Sequence, residues 1–507
     1  MESELNASRE LGGPASRKQT NYTPQQAKLN FKPVKCISFQ MSYKEPITKV
    51  DASLDNEAAS TTSATSLEEF LKLELADREG ARIQYRTCSW EKTAALLFSE
   101  YVCLAVMSFP WSFSVLGVVP GILCTVFVSL CVLYTSLTLW RFCLKHPQVQ
   151  DICDIGQHLL WGQRWAWWFT AVCFILNNTF IQGLHVLTGA KYLNTITNHA
   201  VCTVDFCVVA AVICFVFSLP RTFSGLSFMG WFSAATMFVA IVLSMVFAGV
   251  QDHPGGWDGT TGVTWRLWPA EGTTYVQGMN AVLNIVYTFV GQITYPSFIA
   301  EMKNPRDFNK AVYAVTIAEI VLYVLTGTIV YVYVGDAYIT APAFGSLAPV
   351  YKKIAFSFAV PTLIFLGLLY ASVSARFVFF RIYDKHSQHR RDHTVVGWAV
   401  WAGLLAATWV VAFVIAEVIP FFSDLLSLMS SLFDCWFGFV YWGLAYFHVR
   451  DVRGGLWDKV QVVLNVGLIV LGFYILGPGV YAVVQSIINS YRAGEVGGVF
   501  GCADNGL

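Results

Sequence analysis

Long apolar stretches recur along the chain from Thr93 onward. Each is roughly twenty residues long, which is the length an α-helix needs to cross about 30 Å of hydrocarbon at about 1.5 Å per residue. The pattern predicts an all-α polytopic membrane protein with about eleven transmembrane helices, numbered here as spans 1 to 11. The predicted spans are Thr93–Leu116, Val118–Phe142, Trp165–Thr188, Cys202–Leu219, Leu226–Val250, Tyr275–Ala300, Ala311–Val334, Ile354–Phe380, Val395–Glu417, Phe421–Phe447 and Val460–Ile487.

Two of these spans carry a proline deep inside the apolar stretch. Pro110 lies in span 1 and Pro296 in span 6, where Gly291 adds a second helix-breaking residue. A proline frees a backbone carbonyl, which a bilayer tolerates only where the backbone lines a cavity or is buried in protein. The five-span offset predicts two inverted repeats of five helices, with broken helices 1 and 6 meeting near the membrane midplane. The alternative is ordinary proline kinks, since spans 8 and 11 also contain proline.

The two breaks supply the candidate substrate site. The N-terminal ends of half-helices present unpaired N–H groups that suit a carboxylate, and freed carbonyls suit an ammonium group. Such a site binds a zwitterion without a charged side chain, and the stretches around Pro110 and Pro296 contain none. We therefore predict a neutral amino acid as the substrate. The candidate substrate-binding residues, of which the aromatic ones also fit simple packing, are Ala105, Val106, Met107, Ser108, Trp111, Gly291, Thr294 and Tyr295.

The composition agrees with a lipid bilayer as the surroundings of most of the chain. Of 507 residues, 55% are hydrophobic and 13% are charged, and the mean hydropathy is +0.53. The 33 basic and 33 acidic residues balance, so no nucleic-acid partner is expected. The polar residues 1–84 predict a disordered cytosolic tail, residues 85–490 the transmembrane domain, and residues 491–507 a short exterior tail.

The placement of basic residues predicts the orientation in the membrane. With the N-terminal tail inside, the inner loops hold fifteen Lys and Arg residues and the outer segments hold five, as the positive-inside rule requires. Cys202 and Cys502 both fall in exterior segments and can pair, although sequence does not fix their separation. The thirteen cysteines include no CxxC pair and no metal-ligand spacing, so neither a metal nor another cofactor is predicted.

Four motifs give the chain a family resemblance. Tyr85 to Trp90 (YRTCSW) precedes span 1, Val119-Pro120-Gly121 begins span 2, and Ser218 to Thr222 (SLPRT) follows span 4. The most specific motif, Pro296 to Phe308 (PSFIAEMKNPRDF), closes span 6. Through these motifs, and over roughly residues 85–487, the chain resembles the amino acid/auxin permease family. Within that family it resembles the fungal neutral amino acid permeases of the methyltryptophan-resistance type.

The resemblance implies a leucine-transporter-type fold of five plus five helices and amino acid uptake coupled to protons or sodium. By the same resemblance, Ser372 and Ser374 in span 8 stand where a sodium site of this fold would draw hydroxyl ligands. The chain departs from the family at Ala105, where glycine is usual, and at Trp111, where small residues are usual. These bulkier residues predict a narrower or differently shaped pocket.

Ionisable residues inside spans cost about 2.5–3.5 kcal/mol on insertion scales, so each is a candidate for function. Glu100 in span 1 and Asp434 in span 10 are the candidate coupling residues, although Glu100 also fits a buried carboxylate fixed by a polar partner. Glu301 and Arg306, at the inner end of span 6, are candidates for an ion-pair gate, with a plain topology anchor as the alternative. His185 is expected near the outer surface.

Together these features predict a secondary active transporter that carries neutral amino acids by alternating access around a midplane site. We expect protons rather than sodium to drive it, because Ser372 and Ser374 are a thin set of sodium ligands. The plasma membrane is expected rather than the vacuolar membrane. The alternative is a receptor that binds amino acids and signals without significant flux. An enzyme is not expected, because the inner loops carry no catalytic His/Asp or Cys/His constellation.

Overall fold

The computed structural model describes residues 88–147, 149, 151–221, 226–383, 387–450, 454–494 and 498–507. The predicted N-terminal tail, residues 1–84, lies outside these described residues. Within them the protein is all-α, apart from an isolated β-bridge between Cys88 and Met302.

A helix or a broken helix stands at each of the eleven predicted spans. The helices are Trp90–Tyr101, Leu104–Ser108 and Phe109–Leu116 (span 1), Val118–Lys145 (span 2), Arg164–Thr197 (span 3), Thr203–Ser218 (span 4), Leu226–Val250 (span 5), Tyr275–Phe289 and Tyr295–Glu301 (span 6), Phe308–Val334 (span 7), Pro349–Ile382 (span 8), Val395–Val418 (span 9), Phe422–Met429, Ser430–Val440 and Tyr441–Val449 (span 10), and Leu456–Tyr474, Ile475–Gly479 and Val480–Ala493 (span 11). Short helices at Ile152–Leu159, Pro305–Asp307, Ala343–Ser346 and Gln388–Arg391 lie in the connections.

Most of these spans meet the length and apolarity of a membrane-crossing helix. Eight of them do so as described, and span 1 adds a ninth when its two halves, bent by 47°, are counted together. Span 4 falls short because its helix has 16 residues, and span 6 because it is interrupted between Phe289 and Tyr295. The protein is therefore an integral, multi-pass helical membrane protein, as predicted.

Both prolines predicted to break a span lie at the start of a half-helix. Pro110 is in the first turn of Phe109–Leu116 and Pro296 in the first turn of Tyr295–Glu301. Proline fits there, because the first turn of a helix leaves its N–H groups unpaired in any case. The breaks themselves come just before, at the extended residue Cys103 in span 1 and at the extended residue Val290 in span 6. The predicted breaks in these two spans are confirmed.

The prolines of spans 8 and 11 leave their spans continuous. Pro361 lies inside the uninterrupted helix Pro349–Ile382. Pro478 lies in the π-helix Ile475–Gly479, whose wider turn accommodates the missing backbone hydrogen bond. Ordinary kinks thus explain these two prolines, but not Pro110 and Pro296.

The packing partners of the helices repeat with an offset of five spans. Span 1 packs against spans 5 and 7, and span 6 packs against spans 10 and 2. Span 3 packs against span 9, and span 8 packs against span 4. Spans 1 to 5 correspond to spans 6 to 10, and exchanging each span for its counterpart turns one set of packing pairs into the other. The fold therefore consists of two equivalent halves of five helices. Spans 1 and 6 occupy equivalent places, which brings their breaks together.

The C-terminal segment, residues 498–507, is joined to the end of span 3 and the start of span 4. Cys502 forms a disulfide with Cys202, at a Cα–Cα separation of 4.5 Å. Lys191 Nζ donates to the Asn505 carbonyl at 3.0 Å, and Asn194 Nδ2 donates to Asn505 Oδ1 at 2.7 Å. These contacts explain why span 3 runs to Thr197 although its hydropathy predicts an end at Thr188. Because disulfides form in oxidising compartments, the bond also supports the predicted exterior position of both segments.

Candidate substrate and coupling site

A cavity of about 60 Å³ lies between the two broken spans and spans 3, 8 and 10. This volume has room for several water molecules. The cavity is lined by Glu100, Tyr101 and Cys103 of span 1 and by Tyr287, Thr288, Val290, Gly291 and Ile293 of span 6. The other three spans contribute Asn177, Ile181, Tyr370, Asp434 and Phe437. Among the described residues, the lining contains two carboxylates and no Lys, Arg or His.

Glu100 connects three spans at this cavity. It lies in the last turn of Trp90–Tyr101, immediately before the break of span 1. Thr294, in the break of span 6, donates its hydroxyl to Glu100 Oε2 at 3.2 Å, and Tyr370 of span 8 donates its hydroxyl to Oε1 at 3.0 Å. A carboxylate that holds groups from three spans changes their packing when it gains or loses a proton.

Asp434 is the second carboxylate of the cavity. It lies in the π-helix Ser430–Val440 of span 10, and its side chain is buried. π-Helical turns insert an extra residue into an α-helix and occur frequently at functional sites. Among the described residues, Asp434 Oδ2 has no hydrogen-bond partner. The fold therefore brings two carboxylates from distant spans to one cavity.

The two breaks contact each other through a pair of tyrosines. The hydroxyls of Tyr101 and Tyr295 are hydrogen-bonded at 2.7 Å. Gly291 makes this approach possible, since a Cβ atom at that position would lie 2.7 Å from Tyr101 Cζ. Of the predicted substrate-binding residues, Gly291 lines the cavity, while Thr294 and Tyr295 contact its lining residues Glu100 and Tyr101.

The predicted substrate-binding residues of span 1 are placed differently. Ala105, Val106, Met107 and Ser108 are fully buried in the 3₁₀-helix Leu104–Ser108 and are not among the cavity-lining residues. Trp111, one turn further, is half-buried and is likewise not among them. The reason is that the chain after Cys103 does not stay extended but folds at once into 3₁₀ turns, which pack their side chains into the surrounding helices.

The two candidate sodium-binding serines lie in the buried part of span 8. Ser374 Oγ accepts a hydrogen bond from Asn178 Nδ2 at 3.0 Å, which links span 8 to span 3. Ser372 is also buried. Neither is among the cavity-lining residues, whereas Tyr370 of the same helix is. Their role as sodium ligands stays a prediction.

The candidate gate residues lie at the inner end of span 6. Glu301 and Arg306 are both exposed. An ion pair at this end joins Lys310 Nζ to Asp307 at 2.7 Å. The backbone here pairs with the segment ahead of span 1, because Cys88 N donates to the Glu301 carbonyl at 3.2 Å and Lys303 N donates to the Cys88 carbonyl at 2.9 Å. The gate stays a prediction, but these backbone hydrogen bonds connect the start of span 1 with the end of span 6.

His185 and Glu319 are two of the further ionisable side chains that are buried inside spans. His185 of span 3 is only 5% exposed, and its expected position near the outer face of the membrane stays a prediction. Neither of its ring nitrogens has a hydrogen-bond partner among the described residues. Glu319 of span 7 is also buried, with Oε1 unpartnered in the described part of the chain.

Sequence reasoning missed several residues of the cavity. Tyr370, which holds Glu100, lies in a continuous apolar helix with no break or charge beside it. Asn177 and Tyr287 lie in equally regular helical segments. No local pattern marks these positions, because they reach the cavity only through the packing of distant spans. Tyr101 could have been found from the sequence, because it directly follows the candidate residue Glu100 at the end of a half-helix.

A multi-pass helical protein with two broken spans that meet at a cavity lined by two carboxylates is built as a membrane transporter. More specifically, the chain belongs to the transmembrane amino acid transporter protein family, whose family model matches residues 86–485. It is 33% identical to the N amino acid transport system protein of Neurospora crassa over 425 residues, which cover 83% of this chain and 89% of that protein.

Two other fungal relatives are described as transmembrane transporters. The protein from Gibberella moniliformis is 30% identical over 83% of this chain and 89% of its own length. The protein from Fusarium pseudograminearum is 28% identical over 83% of this chain and 88% of its own length. Among solved structures, that of Mhp1, a nucleobase-cation-symport-1 family transporter, matches with a TM-score of 0.47 and 14% identity, covering 81% of this chain and 93% of that one.

Proposed function

We propose that the protein imports neutral amino acids together with protons by alternating access around the cavity between spans 1 and 6. The observation that carries the proposal is Glu100, a carboxylate that lines the cavity and accepts hydrogen bonds from the broken span 6 and from span 8. A proton-coupled carrier needs one titratable group that both contacts the substrate cavity and joins the parts that move.

Proton coupling follows from the cost of charge in the cavity. A carboxylate that is enclosed between helices without a cation is strongly disfavoured, so occlusion favours the protonated form of Glu100. When the cavity opens to the neutral cytosol, water returns and the proton leaves. The hydrogen bonds that Thr294 and Tyr370 donate to Glu100 are stronger when Glu100 is ionised than when it is protonated. Proton release is thereby linked to the positions of spans 6 and 8.

A neutral amino acid suits the charges of this cavity. An acidic substrate side chain would meet Glu100 and Asp434 without any basic lining residue, in the described part of the chain, to offset the repulsion. A basic substrate carries a second cation besides its α-ammonium group, whereas the described lining offers one carboxylate, Asp434, besides the one that carries the proton. The relative from Neurospora crassa is named for amino acid transport. We place the protein in the plasma membrane, where an external proton gradient is available to drive uptake.

The substrate class is tested by uptake of a panel of labelled neutral, acidic and basic amino acids into cells that express the chain, in sodium-free buffer at acidic and alkaline external pH. We expect saturable uptake of neutral amino acids that is stronger at acidic pH. Stronger uptake of glutamate or arginine than of every neutral amino acid would contradict the proposal. The alternative receptor function predicts binding without flux, and it also predicts that deletion of the residues before Tyr85 abolishes signalling.

A further inference from the structure

Asp434 is the cavity-lining carboxylate that the proposed proton coupling leaves without a role. Its side chain is 5% exposed and lines the same cavity as Glu100. Among the described residues, its Oδ2 atom makes no hydrogen bond of normal geometry, although the Ser430 hydroxyl of the same helix lies near the carboxylate. Unpartnered oxygens are rare on buried carboxylates because they are costly, so this atom marks a place where an entering group supplies the hydrogen bond.

The two carboxylates of the cavity differ in how the protein satisfies them. Both oxygens of Glu100 accept a hydroxyl hydrogen bond, one from Tyr370 and one from Thr294. Asp434 has no such donor at Oδ2, and no Lys, Arg or His lines the cavity within the described residues. When Asp434 is ionised, the positive charge that offsets it comes from a molecule that enters the cavity.

Backbone carbonyls at the breaks are less available as acceptors than the sequence suggests. The Cys103 carbonyl accepts from Val106 N, and the Ala105 carbonyl accepts from Ser108 Oγ. The Gly291 carbonyl accepts from Thr294 N. Since these carbonyls already have donors, a free carboxylate oxygen is the better acceptor for a cationic group.

We propose that Asp434 binds the α-ammonium group of the transported amino acid. This inference rests on the proposed function, because it requires an amino acid substrate. An ammonium group carries the positive charge and the N–H donors that Asp434 needs. Glu100 takes up the proton and Asp434 takes up the ammonium group, so the two carboxylates that the sequence analysis grouped together as coupling residues have separate roles.

The test compares wild type with Asp434→Asn, which keeps the shape of the side chain and removes its charge. Asp424→Asn is the matched control, because Asp424 is a buried carboxylate of the same span that accepts from Asn280 and is not among the cavity-lining residues. Two quantities are measured at equal surface expression: the KM for a neutral amino acid, and the inhibition constant of the carboxylic acid that lacks only its amino group.

In Asp434→Asn we expect the KM to rise about ten- to a hundredfold, the loss typical of a charged hydrogen bond. The inhibition constant of the deaminated acid should stay within about threefold, since that compound has no ammonium group to lose. The external-pH dependence of uptake should persist, because Glu100 is intact. In Asp424→Asn both constants should stay within about threefold of wild type.

Three results would overturn the inference while leaving the proposed function standing. They are an unchanged KM in Asp434→Asn, an equal weakening of the amino acid and its deaminated analogue, and loss of the pH dependence at unchanged KM. Absence of neutral amino acid uptake by wild type would instead refute the proposed function, and the inference with it. If Asp434→Asn does not reach the membrane, Asp434→Glu replaces it. Its displaced carboxylate should raise the KM severalfold, and an unchanged KM would overturn the inference equally.

Discussion

Gly291 is the residue at which the two broken spans come closest. A Cβ atom there would lie 2.7 Å from Tyr101 Cζ, so any side chain pushes Tyr101 away and breaks its hydrogen bond with Tyr295. Overpacking of this kind typically costs about 1–3 kcal/mol. We therefore expect Gly291→Ala to lower uptake per surface molecule about tenfold or more.

Gly278 of the same span is the matched control for this substitution, because its Cβ position has no neighbour within 4 Å. Gly278→Ala should keep wild-type uptake and surface level, since alanine is also the better helix former. Equal uptake by both variants, measured with surface biotinylation to count molecules, would show that the close approach at Gly291 is unimportant for transport.

Substitutions of Val290 and Trp111 are expected to differ in their effect on the size of substrate that is accepted. Val290 lines the cavity, so Val290→Ala enlarges it, and uptake of larger neutral amino acids relative to alanine should rise about threefold or more. Trp111 is not among the lining residues, so Trp111→Ala should leave the order of preference unchanged. Competition by a size series of unlabelled amino acids measures both. Wider selectivity in Trp111→Ala alone would place the substrate beside Pro110 instead of in this cavity.

At the scale of helices, much of the fold could be predicted because the signals for spans and breaks lie in short stretches of sequence. Hydropathy found all eleven spans, and Pro110 and Pro296 identified the two that are broken. The exact breaks could not be predicted, because Cys103 and Val290 are unremarkable in sequence and become extended only where neighbouring helices hold them.

The cavity could be predicted only in part, because it is made by packing between distant helices. Glu100 could be found from sequence because a carboxylate inside an apolar span is conspicuous. Tyr370 could not, since a tyrosine in an apolar helix is usually a packing residue. The π-helix Ser430–Val440 has no sequence signature either, yet Asp434 lies within it. The same limit explains why Ala105 to Ser108 were expected at the cavity and lie buried beside it.

At the scale of the whole molecule, the disulfide between Cys202 and Cys502 makes the orientation testable. In intact cells a membrane-impermeant maleimide should label these two cysteines only after mild reduction, because both are predicted to lie outside and they are joined by the disulfide. The double variant Cys202→Ser, Cys502→Ser supplies the background from the other cysteines. Labelling that requires permeabilised cells would reverse the orientation and place the tail inside.

The second prediction at this scale concerns the coupling of proton movement to amino acid transport. We expect a protein with two such repeats and a cavity between their broken spans to open alternately to each side of the membrane. In such a carrier, the Glu100→Gln variant should behave like the wild-type protein with Glu100 permanently protonated. It should still exchange substrate across the membrane but should no longer respond to a proton gradient.

The most direct test is accumulation of a labelled neutral amino acid in proteoliposomes under an imposed pH gradient, acid outside, without sodium. We predict that wild type concentrates the substrate above its external level and that Glu100→Gln only equilibrates it. Glu417→Gln, which removes a buried carboxylate of span 9 that is not among the cavity-lining residues, should accumulate substrate like wild type. Accumulation by wild type only with sodium, or undiminished proton-driven accumulation by Glu100→Gln, would contradict the account.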